Sequence, residues 1–219
     1  MNGQEANKKR AALAALGYLE DGIVLGIGTG STVNYLIDAL PRERIRLEAV
    51  VSSSTESTRR LEEAGLEVSE LSGVPTVDLY IDGADEATRH RHLIKGGGAA
   101  LTGEKIVAAA ARRFVCIVDE SKLVDRLGAF PLPIEVIPMA RSFVSKQMIK
   151  AGGKPIWREN VVTDHGNQII DVHHLDISNP VALEQEFNQI PGVVTVGIFA
   201  NRPADVLLVA SASECRTLV

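Results

Sequence analysis

Short apolar runs alternate with stretches of helical periodicity through the first 130 residues. Residues 23–27 form an apolar run beside a glycine-rich turn, which predicts a buried strand. Apolar side chains then recur at helical spacing as far as Leu40, and Pro41 ends this predicted helix. Further strands are predicted at residues 47–51, 77–81 and 114–118, with helices at 5–19 and 102–113. Strands that alternate with helices indicate an α/β fold with a mostly parallel, Rossmann-like sheet and helices on both faces.

The pattern changes near residues 130–133, where two prolines interrupt the alternation. From there the order strand, helix, strand, strand, helix, strand is predicted, which is the split βαβ order of ferredoxin-like domains. The strands are predicted at residues 134–137, 155–158, 168–172 and 193–199, and the helices at 141–151 and 180–189. A last apolar strand at 205–210 is expected to return to the first sheet. We therefore predict a Rossmann-like domain of residues 1–130 and 203–219, and a smaller α+β domain of residues 131–202.

Composition and charge exclude several classes of protein. The 219 residues are 45% hydrophobic and carry a formal net charge of -5, without the basic face that nucleic acids demand. No apolar run approaches the ~20 residues of a membrane span, so no membrane partner is expected. Residues 1–5 lack the features of a signal peptide, and Cys116 and Cys215 form no disulfide framework, which favours the reducing cytoplasm.

The first polar cluster follows the strand at 23–27 and consists of residues 28–32, Gly-Thr-Gly-Ser-Thr. Ligands of open α/β sheets bind at the carboxyl ends of strands, and a glycine turn before a helix offers free N–H groups to a phosphate. A tight turn that binds nothing is the alternative. A dinucleotide fingerprint would need a glycine at Ser31, and the lysine of a P-loop is missing. A small phosphorylated metabolite is therefore favoured over NAD or ATP.

The second cluster is Asp82-Gly83-Ala84-Asp85-Glu86, at the end of the strand predicted at 77–81. Two carboxylates held close together raise the pKa of one of them, which suits proton transfer. A solvated acidic turn and a magnesium site are the alternatives.

The third cluster contains Lys95, three consecutive glycines at 96–98, and Glu104 in the first turn of the next predicted helix. Three glycines cost chain entropy, so a second curve of backbone around an anion is expected. Lys95 can neutralise charge that develops on a substrate oxygen. Glu104 taken alone is as well explained by the preference for acids at helix N-termini.

The histidines do not point to a metal. His90 and His92 lie in a polar loop, His173 and His174 follow a strand, and none has a ligand spacing with a third partner. No metal or other cofactor is expected.

Taken together in their order and spacing, the clusters resemble type A ribose-5-phosphate isomerase. The segments 130–136 and 190–194 resemble later parts of that family, and the likeness runs from about Lys8 to the C-terminus. The resemblance implies a metal-free interconversion of D-ribose 5-phosphate and D-ribulose 5-phosphate through an ene-diolate. It also implies a homodimer or a homotetramer.

The resemblance also implies residue roles. Glu104 would be the base between C1 and C2, Lys95 would stabilise the oxyanion, and Asp82 and Asp85 would serve as acid/base groups and open the sugar ring. Lys8 would reach the phosphate. The other substrate-binding residues implied are Thr29, Gly30, Ser31, Thr32, Gly83, Ala84, Gly96, Gly97, Gly98 and Lys122.

Rival interpretations come from neighbouring classes. A non-catalytic phosphosugar sensor would need the cradle but neither Lys95 nor Glu104. Such a sensor would also need a DNA-binding segment, and only about one helix is predicted before the first strand. An amino-sugar-phosphate isomerase or a CoA transferase would differ in its acid–base groups or in the size of its site.

Overall fold

The computed structural model describes residues 3–219. Met1 and Asn2, the start of the segment in which no signal peptide is expected, lie outside the described residues. The helices are α1 (Gly3–Ala15), α2 (Ser31–Ala39), α3 (Thr55–Glu63), α4 (Leu101–Ala110), α5 (Arg141–Lys150) and α6 (Pro180–Asn188). The strands are β1 (Val24–Ile27), β2 (Ala49–Ser52), β3 (Val77–Asp82), β4 (Glu86–Ala87), β5 (Leu93–Ile94), β6 (Ala111–Asp119), β7 (Leu132–Val136), β8 (Lys154–Trp157), β9 (Gln168–His173), β10 (Val193–Val196), β11 (Ile198–Phe199), β12 (Val206–Ala210) and β13 (Cys215–Leu218).

The central sheet has six strands in the order β13-β12-β6-β3-β1-β2. All neighbours are parallel except β13, which runs antiparallel to β12 along the edge. The predicted α/β class and the return of the strand at 205–210 are confirmed. The helix predicted at 102–113 is wrong at its end: α4 stops at Ala110, and β6 begins at Ala111 with exposed Arg112 and Arg113.

Two apolar layers cover the faces of this sheet. On one face, Ala11 of α1, Leu36 of α2 and Leu61 of α3 pack against strand residues such as Leu25. On the other face, Val107 of α4 packs with side chains that include the ring of Phe114. Burial of this kind contributes about 25 cal/mol per Å² of apolar surface, so the helices are held mainly by packing.

A second sheet has the order β10-β7-β9-β8, with every neighbouring pair antiparallel. Together with α5 and α6 it forms the predicted ferredoxin-like unit, and the side chains between sheet and helices form a core of their own. The exact domain boundaries at residues 130/131 and 202/203 stay a prediction.

The strand predicted at 193–199 is not continuous. Gly197 separates β10, which pairs with β7, from β11, which pairs with β5 in a small three-stranded sheet with β4. The Gly197 N–H donates to the oxygen of Pro133 at 2.8 Å, and the Lys95 N–H donates to the oxygen of Gly197 at 2.9 Å. A Cβ at Gly197 would lie 2.4 Å from the oxygen of Lys95. The break therefore ties the backbone of Lys95 to the antiparallel sheet.

Within residues 3–219, no helix combines the length and the apolar character that crossing a membrane requires.

Candidate active site

A cavity of about 160 Å³ opens at the carboxyl ends of the parallel strands. It is lined by Gln4, Lys8, Thr29, Gly30, Ser31, Thr32, Gly83, Ala84, Asp85, Lys95, Gly96, Gly97, Gly98, Glu104 and Lys122. The structure therefore brings all the predicted site residues to one place, except that Asp82 lies beneath the lining. Gln4 is an addition that sequence reasoning missed: its Nε2 lies 3.3 Å from Ser121 Oγ, a contact between residues 117 positions apart.

The first wall of the cavity is the turn before α2. Gly30 precedes the helix with a φ of 121°, a conformation that favours glycine. The first turn of a helix leaves backbone N–H groups without intrahelical partners, and the helix dipole adds positive potential there. This wall, which includes Ser31 and Thr32, is therefore suited to an anion.

Gly28 and Thr29 contact residues that lie next to the cavity. A Cβ at Gly28 would lie 1.9 Å from the carboxyl group of Asp82, so only glycine leaves room for that side chain. The hydroxyl of Thr29 lies 2.7 Å from Ser54 Oγ and 3.0 Å from Ser53 Oγ. It is thus engaged with serines after β2, which sequence reasoning did not connect to the site.

Asp82 is completely buried below the cavity. Its Oδ1 accepts the N–H groups of Thr29 at 2.9 Å and Gly83 at 2.7 Å. Its Oδ2 accepts the hydroxyl of Tyr80 and lies 2.8 Å from Lys95 Nζ. Four polar partners fix this carboxylate in one position.

Lys95 and Glu104 form the centre of the site. Lys95 Nζ donates to the oxygen of Gly83 at 2.6 Å and lies 3.2 Å from Glu104 Oε1. Burial opposes the charge of Lys95, but the carboxylates of Asp82 and Glu104 outweigh it and raise its pKa above the ordinary lysine value. Lys95 is therefore a permanent cation at neutral pH.

Glu104 differs from Asp82 because one of its carboxylate oxygens lacks a hydrogen-bond partner in the described part of the chain. Only 4% of its surface is exposed, and its Oε2 has no hydrogen-bond partner among residues 3–219. Burial and the neighbouring carboxylate of Asp82 raise the pKa of Glu104 to about 8, against the lowering effect of Lys95. A carboxyl group with such a pKa can both accept and release a proton near neutral pH.

Asp85 also lines the cavity and lies against the glycine-rich segment of residues 96–98. Its Oδ2 accepts the N–H of Gly97 at 2.7 Å. A Cβ at Gly97 would lie 2.5 Å from Asp85 Oδ1, which explains why glycine occupies this position.

Two further lysines line the cavity. Lys8 of α1 pairs with Glu5 at 2.7 Å, and its side chain is 14% exposed. Lys122 belongs to a 3-10 turn, Glu120–Lys122, which follows β6. Both bring positive charge to the cavity, whose lining also includes the start of α2.

Among the described residues 3–219, no group of three or more His, Cys, Asp or Glu side chains could hold a metal ion. The histidine pairs His90/His92 and His173/His174 approach each other with ring centroids 6.2 Å and 6.1 Å apart.

A buried carboxyl group with an oxygen unpaired within residues 3–219 lies beside a buried lysine, and the start of α2 is suited to an anion. This arrangement is typical of an enzyme that moves protons on a small anionic substrate. Comparisons with known proteins narrow this class. The family model of ribose 5-phosphate isomerase A (phosphoriboisomerase A) matches residues 49–214. The ribose-5-phosphate isomerase A of Xylella fastidiosa (strain M12) is 57% identical over 205 residues, which are 93% of this chain and 95% of the relative.

Solved structures of ribose-5-phosphate isomerases have the same fold as this chain. The crystal structure of ribose 5 phosphate isomerase A from Neisseria gonorrhoeae matches with a TM-score of 0.97 and 44% identity, covering 100% of this chain and 98% of that one. A structure of D-ribose-5-phosphate isomerase in complex with phospho-erythronic acid matches with a TM-score of 0.95 and 40% identity, covering 100% and 99% of the two chains. The chain belongs to the ribose 5-phosphate isomerase A family, and the predicted family and enzyme class are confirmed.

Proposed function

We propose that this protein interconverts D-ribose 5-phosphate and D-ribulose 5-phosphate, an aldose–ketose isomerisation of the pentose phosphate pathway. Membership of the family supports the reaction. The observation that carries it in this chain is Glu104, a buried carboxyl group of raised pKa that lines the cavity beside Lys95. A base of this kind next to a fixed cation meets the needs of proton transfer at a carbon beside a carbonyl group.

The phosphate of the substrate lies at the start of α2 in this proposal. The free N–H groups of the first turn, the hydroxyls of Ser31 and Thr32, and the charges of Lys8 and Lys122 support that orientation. Phospho-erythronic acid in the related complex is likewise a small anionic phosphate. Placing the phosphate here directs the sugar carbons towards Glu104.

This placement supports the following sequence of proton transfers. Glu104 removes the proton from C2 of the open-chain aldose, and the electron pair forms a C1–C2 double bond as the C1 oxygen becomes negative. The ammonium group of Lys95 stabilises that oxyanion. A proton moves from the C2 hydroxyl to the C1 oxygen, Glu104 returns its proton to C1, and a ketone remains at C2.

The two aspartates take different parts in this proposal. Asp85 lines the cavity, so we assign to it the proton transfer between the C1 hydroxyl and the ring oxygen that opens the sugar. Asp82 is completely buried and bonded on both oxygens, which supports a role in holding Lys95 in place. A direct contact between Asp82 and the substrate stays a prediction.

Oligomeric state and location are also part of the proposal. Apolar side chains are exposed around α5 and β8, and they support self-association as a homodimer or homotetramer. They are Met139, Phe143, Ile149, Ile156 and Trp157. The two free cysteines support a reducing cytoplasm. Light scattering of the purified chain tests the first point, since a monomer at micromolar concentration would contradict it.

The division into a catalytic unit of residues 1–130 and 203–219 and a smaller unit of residues 131–202 is likewise proposed. The apolar cluster at the antiparallel sheet supports it, since most of its members lie within residues 131–202, although Ile94 and Leu127 also belong to it.

Turnover of ribose 5-phosphate, followed by proton NMR with EDTA present, tests the function. Arabinose 5-phosphate and an amino-sugar phosphate are assayed beside it as competing substrates. EDTA-resistant formation of ribulose 5-phosphate is the expected result. Binding of ribose 5-phosphate without turnover would favour the sensor, and turnover of the amino sugar alone would favour the related isomerase.

A further inference from the structure

Arg158 connects the antiparallel sheet to the glycine-rich segment of the site. It follows β8, and its Nε and Nη2 donate to the two carboxylate oxygens of Asp171 on β9 at 2.8 Å and 2.5 Å. Its Nη1 donates to the oxygens of Gly96 at 2.9 Å and Gly97 at 3.1 Å. The side chains of Arg158 and Asp171 are only 18% and 16% exposed. One guanidinium thus holds a carboxylate and two carbonyl groups together.

These bonds fix the direction of two peptide groups. In a trans peptide the C=O and the following N–H point in opposite directions. The oxygen of Gly96 faces Arg158, and the N–H of Gly97 accordingly points the other way, to Asp85 on the cavity lining. The oxygen of Gly97 also faces Arg158, so the N–H of Gly98 points towards the cavity as well. That N–H has no partner among residues 3–219.

The segment needs an external support of this kind. Glycines have the widest conformational freedom of any residue, so residues 96–98 do not hold one backbone arrangement unaided. A turn from Gly96 to Ala99, closed by a hydrogen bond of 3.0 Å, supplies part of the restraint. Asp85 restrains the segment from the cavity side, and Arg158 restrains it from the opposite side.

We propose that Arg158, oriented by Asp171, is a positioning residue that turns the N–H of Gly98 and the carboxyl group of Asp85 towards the sugar part of the substrate. This inference rests on the proposed function. The guanidinium is required because its planar fork bonds Asp171 and the two carbonyl groups at once, which a lysine ammonium group cannot reproduce.

The test compares Arg158→Lys with Arg202→Lys. Arg202 is a matched control, since it pairs with both oxygens of Asp205 and donates to the carbonyl groups of Pro203 and Ala111, away from the cavity. For each protein the KM for ribose 5-phosphate is measured, with the inhibition constants of phospho-erythronic acid and inorganic phosphate. Inhibition constants do not depend on the fraction of protein that is folded.

Arg158→Lys is expected to raise the KM and the inhibition constant of phospho-erythronic acid about tenfold. The constant for inorganic phosphate should stay within twofold, because phosphate binds at α2, and Arg202→Lys should change nothing. Asp171→Asn should also raise the inhibition constant of phospho-erythronic acid and leave that of inorganic phosphate nearly unchanged, but by a smaller factor than Arg158→Lys. Equal weakening of both inhibitors, or no change in either, would overturn the positioning role. An unmodified protein without turnover would instead remove the proposed function.

Discussion

The pH dependence of turnover depends on one unusual carboxyl group. Glu104 must be ionised to accept the C2 proton, and in the free protein its pKa is raised to about 8 by burial and by Asp82. The value of kcat/KM reports the ionisation of the free enzyme. We therefore expect kcat/KM to rise with pH up to about 8 and to level off above it, because Lys95 keeps its charge throughout this range.

The size of the effect follows from the fraction of Glu104 that is ionised. With a pKa of about 8, about one tenth of the molecules carry the carboxylate at pH 7 and about one hundredth at pH 6. The plateau should thus exceed the value at pH 6 about a hundredfold. The second pKa of the substrate phosphate is about 6, so protonation of the phosphate steepens the fall of kcat/KM only below that pH.

Initial rates of ribulose 5-phosphate formation between pH 5.5 and 9.5, at constant ionic strength, measure this profile. Ribose 5-phosphate carrying deuterium at C2 serves as a control, because an isotope effect on kcat/KM shows that proton transfer limits the rate. A profile that is flat from pH 6.5 to 9, or one that rises with the ordinary pKa of a glutamate, would contradict the assignment of Glu104 as the base.

Three further predictions concern stability and binding. Folded Glu104 holds its proton to a higher pH than the unfolded chain does, so the free energy of unfolding should fall by about 1.4 kcal/mol per pH unit between 4.5 and 8. Glu104→Gln removes that dependence on pH. Urea unfolding at pH 5.5 and 7.5 should therefore show that the free energy of unfolding of the variant increases relative to that of the unmodified protein as pH rises. Gly28→Ala should displace Asp82, which should reduce kcat at least tenfold and the free energy of unfolding by about 1–3 kcal/mol. Gly73→Ala is the control, because a Cβ at Gly73 would have no atom within 4 Å, and it should change neither quantity in the same assays. Lys122→Met should raise the KM about tenfold with little change in kcat, as steady-state kinetics would show, since it removes charge at the phosphate end.

Much of the fold could be predicted because its signals are local. The apolar run at 23–27 and the helical spacing after it are enough to predict β1 and α2, and the glycine turn between them predicts an anion site. Strand β13 was not predicted, because Cys215–Leu218 is short, partly polar and lies at an edge. The break at Gly197 depends on carbonyl groups from two other segments, so no pattern along the chain indicates it.

The candidate site, like the fold, was predicted where its signals are local and was missed where they depend on distant segments. Strand-end clusters predicted most of its lining, because parallel strands bring their carboxyl ends to one edge. The burial of Asp82 was not predicted: its position between β1 and β6 is a property of the strand order. The contacts of Arg158 with Gly96 and of Thr29 with Ser54 join residues 62 and 25 positions apart, beyond the reach of periodicity or motif spacing.

Hydrogen exchange at C2 of ribose 5-phosphate in deuterium oxide, followed by proton NMR for the unmodified protein and for Glu104→Gln, tests the role of Glu104 most directly. We predict that the unmodified protein forms ribulose 5-phosphate. Over repeated turnover in both directions, exchange of the Glu104 proton with solvent should also place deuterium at C2 of ribose 5-phosphate. The variant should bind phospho-erythronic acid with near-normal affinity yet show neither reaction at a detectable rate. Exchange at near-normal rate in Glu104→Gln would contradict the assignment of Glu104 as the group that moves the proton.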